Sequence, residues 1–137
     1  MTAFEKMLQL YTDADREQLL AVARKSAAKL LPTCKKIDTE NDGFAMLSAI
    51  ILSAIGADGI LTLKEKAFIC DALDITEETV SNYIKLYDEK MVALADKFAD
   101  TMDTDTKVET VKLIAAIAAS DKTISPRETA LLAKILA

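Results

Sequence analysis

The chain has 137 residues, a net charge of −5 and no histidine. That length suits one domain, and the acid excess disfavours a surface for nucleic acid or other phosphates. The absence of histidine removes the usual general base and the commonest zinc ligand. Apolar residues make up 51% of the chain, while glycine and proline number three and two and aromatics are 5%. This excludes disorder and predicts an all-α protein, because sheets need more turn, aromatic and β-branched residues.

Cys34 and Cys70 form no CxxC motif and no disulfide framework, which predicts reduced thiols and a cytoplasmic protein. The start, Met1-Thr2-Ala3-Phe4-Glu5-Lys6, lacks the basic and long apolar regions of a secretory leader. The longest apolar run, Phe44 to Ala57, is shorter than the ~20 residues that cross a bilayer.

Thr2-Ala3-Phe4-Glu5 has the form of a capping box and opens a first helix carrying Phe4, Leu8 and Tyr11. Thr12-Asp13 interrupts it or caps a second helix, expected to run to Leu31 and stop at Pro32. Arg24, Lys25, Lys29, Lys35 and Lys36 lie in a stretch without acids, read as a solvated face or a site for an anionic partner. Gly43 to Ala57 is apolar nearly all round, the pattern of a central helix, with Asp42 as its N-cap.

Thr62-Leu63-Lys64-Glu65 is a second capping box, and its helix carries Phe68, Ile69, Ala72 and Leu73. Asp74-Ile75-Thr76-Glu77 marks the next start. From there Val80, Ile84, Tyr87, Met91, Leu94 and Phe98 form one seam on a helix of roughly 25 residues. The seam and the Phe4–Tyr11 face could each serve within or between chains, so the oligomeric state stays open. Residues 71–109 hold eleven acids and four bases, and Asp96, Asp100 and Asp103 share one helix face. Thr106-Lys107-Val108-Glu109 reads as a capping box before a second central helix with Val111, Leu113, Ile114 and Ile117. Ser125-Pro126-Arg127-Glu128 opens the last helix, with proline at its first position, where a missing N–H costs nothing. The expected architecture is a single-domain bundle of about seven helices.

Two stretches match at a shift of 63 residues. Asp58 meets Asp121, Leu61 meets Ile124, Thr62 meets Ser125 and Glu65 meets Glu128. This predicts two helix-loop-helix units, near residues 43–74 and 106–137, related by a pseudo-two-fold axis. The repeat Ala57-Asp58-Gly59-Ile60-Leu61-Thr62-Leu63-Lys64-Glu65 resembles that of the TerB-like family, named for tellurite-resistance proteins. The second copy departs from the pattern at Ser120 and Lys122. The resemblance covers roughly residues 43–137 and implies an all-helical fold and a bacterial or phage-like stress-response or tellurite-resistance connection. It also implies divalent-metal binding by acidic residues and partners at the inner membrane face. It implies no defined reaction.

Asp58, Glu65, Asp121 and Glu128 are the candidate metal ligands, for a hard cation such as Ca²⁺ or Mg²⁺. The competing reading is that the two aspartates accept backbone N–H bonds and the two glutamates close capping boxes. An EF-hand frame fails, because it places Ala54 and Gly56, which offer no side-chain oxygen, at the first and third ligand positions. No nucleophile–base pair or phosphate-cradling glycine loop is present, so no enzyme is expected. The leading expectation is a non-enzymatic TerB-like protein acting through protein contacts, with a divalent cation at the acidic loops. The alternatives are a purely structural interaction module without metal and, last, a hydrolase using paired carboxylates.

Overall fold

A computed structural model describes residues 2–37, 43–55, 62–86, 93, 98, 100, 102–122 and 124–136. These residues form seven α-helices: α1 (Ala3–Asp13), α2 (Arg16–Ile37), α3 (Phe44–Ile55), α4 (Leu63–Leu73), α5 (Glu77–Leu86), α6 (Thr104–Ala119) and α7 (Pro126–Leu136). No strand occurs among them. The fold is thus an all-α bundle, as the composition predicts.

The core is organised around α6. Val111, Leu113, Ile114 and every residue from Ala115 to Ala119 are buried, so this helix is enclosed over most of its circumference. Its most extensive partner is α2, and α1, α3, α4 and α7 also pack on it. Helix α2 is apolar only on one stripe, and Leu19, Leu20, Ala23, Ala27, Leu30 and Cys34 of that stripe are all buried. Those positions recur at helical spacing, so one face meets the core while the other stays polar. Helix α3, expected to be central, contributes Met46, Leu47, Ile50 and Ile51 to the same core and packs chiefly on α2.

Helix boundaries differ from the sequence expectation at the end of α2, at the start of α6 and at the start of α2, where α1 runs through Thr12 and Asp13 and the cap is Asp15. Helix α2 does not stop at Pro32 but continues through it to Ile37. Proline removes one backbone donor, and the extra turn carries Cys34 to full burial. Gly43 then packs directly on this turn at φ +84°, where an added Cβ would lie 2.8 Å from the Lys35 backbone nitrogen. Only glycine tolerates both that conformation and that approach.

Helix α6 starts at Thr104, earlier than the Thr106 box predicts, because Asp103 is its N-cap. The Asp103 carboxylate accepts the Thr106 N–H at 2.8 Å, and this bond holds its pKa below the usual aspartate value. Asp103 is therefore a helix cap. Glu109, expected to close a box with Thr106, reaches Ser26 and Lys29 instead.

At the second helix start, Asp15 and Gln18 form a reciprocal capping pair: the Gln18 N–H donates to Asp15 and the Asp15 N–H to the Gln18 side chain. Two of the five basic residues in the α2 stretch are tied down within the fold. Arg24 donates to the Asp71 carbonyl and Lys29 to Glu109, while Lys25, Lys35 and Lys36 remain exposed. Arg16 pairs with the Asp71 carboxylate and sits over the Phe68 ring. Of the long seam, Val80 and Phe98 are buried and Ile84 is partly exposed; Tyr87, Met91 and Leu94 lie outside the described residues, as do Asp42 and Asp96.

Candidate functional site

The start of α4 is a complete capping box. Thr62, in extended conformation, accepts the Glu65 N–H on Oγ1 at 3.1 Å, and Glu65 Oε1 accepts the Thr62 N–H at 3.1 Å. The start of α7 repeats it. Ser125 Oγ accepts the Glu128 N–H at 3.1 Å, and Glu128 Oε1 accepts the Ser125 N–H at 2.9 Å. Each box satisfies two N–H groups that a helix start leaves without an intrahelical partner. Each also sets a carboxylate against the positive end of a helix dipole. The Ser/Thr-x-x-Glu spacing read from the sequence thus folds as expected at both places.

The charge of the second box bears on the first. Glu65 is buried at 6% exposure, and its pKa is raised. Burial is the main cause, the bonds to Thr62 oppose it, and the negative charges of Glu128 and Asp121 add to the rise. Side chains from residues 65, 121 and 128 therefore share one electrostatic neighbourhood, although 63 residues separate the two glutamates. Asp58, the fourth sequence candidate, lies outside the described residues, as do Gly59 and Leu61.

Asp121 sits in the turn after α6. Its N–H faces the Ala118 carbonyl, and the next N–H, of Lys122, donates to Ala119 at 2.8 Å. Lys122 adopts φ +66°, the left-handed region that glycine enters freely. This is the position that Gly59 occupies in the first copy of the motif. The Lys122 ammonium then donates to the Ala14 carbonyl at 2.7 Å. The second connector is thereby tied to the junction between α1 and α2, a role that sequence spacing alone does not announce.

The donor set of the three described carboxylates is hard oxygen, the chemistry that Ca²⁺ and Mg²⁺ prefer. One oxygen of each glutamate is already engaged with a backbone N–H. Among the described residues no group of three or more Asp, Glu or Cys side chains is arranged to hold a metal ion. A six- to eight-ligand calcium shell would thus need donors beyond these.

A second acidic centre escaped the sequence reading. Glu109, 13% exposed at its side chain, accepts from buried Ser26 at 2.8 Å and from Lys29 at 3.3 Å. Lys112 lies 3.7 Å away. Burial pushes the Glu109 pKa up, but those bonds and the two lysine charges outweigh it and leave the pKa lowered. The only sequence signal was the lysine three residues on; Ser26 and Lys29 come from the far side of the chain. The centre joins α2 to α6 across the largest helix interface.

In comparisons with protein-family models, curated proteins and solved structures, no match to the chain was found. No helix among the described residues is long and apolar enough to cross a membrane.

Proposed function

We propose that the chain is a non-enzymatic, TerB-like helical protein of bacterial stress or tellurite resistance, acting in the cytoplasm through contacts with other proteins. The observation that carries this reading is the paired capping box: Thr62/Glu65 and Ser125/Glu128 have the same bonds, at the spacing of the TerB-like motif, and bring like charges together. The acidic net charge favours protein partners over nucleic acid. The expected partners are proteins at the inner membrane face. A bacterial host lacking the gene should become more sensitive to tellurite, and the wild-type chain should restore growth. Unchanged sensitivity in the deleted host would sink the reading.

A second element of the proposal is a divalent cation at the two acidic loops, held by Asp58, Glu65, Asp121 and Glu128. It is favoured because both charges acting on Glu65 are negative, a repulsion that a bound cation would relieve. Calorimetric titration with Ca²⁺, Mg²⁺ and Mn²⁺ tests it. Binding should raise the melting temperature, and Asp58→Asn and Asp121→Asn should weaken it while sparing the fold. No heat and no thermal shift at millimolar metal would leave Glu65 and Glu128 as helix caps alone, and the chain as an interaction module without metal.

A further inference from the structure

We draw no further inference here: the strongest candidate, the open groove of about 420 Å³ between α2 and the first turns of α6, lined by Lys29, Leu30, Asp105, Thr106, Val108 and Glu109, carries nothing because its Lys29 and Glu109 already pair with each other and nothing in the structure shows what covers it.

Discussion

Glu65 and Glu109 are both largely enclosed carboxylates, and their proton affinities move in opposite directions. Burial raises each of them, so burial cannot explain the difference. Glu109 is met by a buried hydroxyl and two lysines. Glu65 is met by one capping residue and two further acids. Ionised Glu109 therefore supports the fold, whereas ionised Glu65 is tolerated for the sake of the cap it closes. A carboxylate that fits its surroundings is read most simply as structure. One that is held against like charge is where a cationic ligand has something to gain.

The largest effect should follow from breaking the favourable centre. Glu109→Ala leaves the Ser26 hydroxyl, 1% exposed, without its carboxylate acceptor, at a cost of about 1–3 kcal/mol. The lysines add little, since Lys29 and Lys112 are 53% and 40% exposed and solvent screens such pairs. Glu109→Gln keeps an acceptor for Ser26 and should lose less. Urea denaturation of the two variants measures both; equal losses would mean that charge, not the hydroxyl bond, holds α2 to α6.

Next come the caps. Thr62→Ala and Ser125→Ala should each cost about 0.5–2 kcal/mol. Neither of these variants removes a charge; Glu65→Gln and Glu128→Gln do, and because the Glu128 charge bears on Glu65 their double variant should depart from the sum of the two. Strict additivity in a double-mutant cycle would show that the two halves are energetically separate and would weaken the case for a shared cation.

These two centres also show why part of the molecule was legible in the sequence and part was not. The boxes at Thr62 and Ser125 were readable because their partners lie three residues apart, within one helical turn. The Thr106-x-x-Glu109 spacing has the same form, yet Glu109 is drawn to Ser26, 83 positions away, and Asp103 caps the helix in its place. No local rule can foresee that competition. Pro32 misled for the same reason: a local stop signal lost to the burial of Cys34 and the seat of Gly43 against the next turn. The seven helices among the described residues and the apolar stripe of α2 depend on periodicity and came through. The pairings of Arg16 and Arg24 with Asp71 depend on which helices meet, and they did not.

The pH dependence of stability separates the two glutamates by sign. The folded-state pKa of Glu65 lies above the ordinary glutamate value of 4.5, so the native chain binds that proton more tightly than the unfolded one. Ionisation of Glu65 then costs stability as pH rises from 4.5 through the folded-state value, and the cost persists at neutral pH. Glu65→Gln retains a side-chain oxygen for the Thr62 N–H and carries no charge. It should be more stable than wild type at neutral pH, by less than the loss of a cap, with the advantage gone below pH 4.5. Glu109 behaves oppositely: its contribution is complete above 4.5 and is lost as pH falls through its lowered folded-state value. Glu109→Gln should therefore be most damaging at neutral pH and converge on wild type in acid. Melting curves across this range test both, and parallel profiles for the two variants would refute the contrast.

The smallest effect is expected at Lys122, where two terms oppose each other. Its left-handed backbone at φ +66° costs a non-glycine residue roughly 1–2 kcal/mol. Glycine there would remove that strain but also loosen the unfolded chain, by about 0.4–1 kcal/mol. It would further delete the exposed bond from the lysine to Ala14. Lys122→Gly should thus change global stability by less than about 0.5 kcal/mol. Its effect should appear locally, as faster amide exchange at the end of α1, because Ala14 loses its tie to the second connector while the Ala14 N–H remains bonded to Tyr11. Faster exchange confined to the 120–125 turn would instead show that Lys122 shapes its own loop and does not anchor α1.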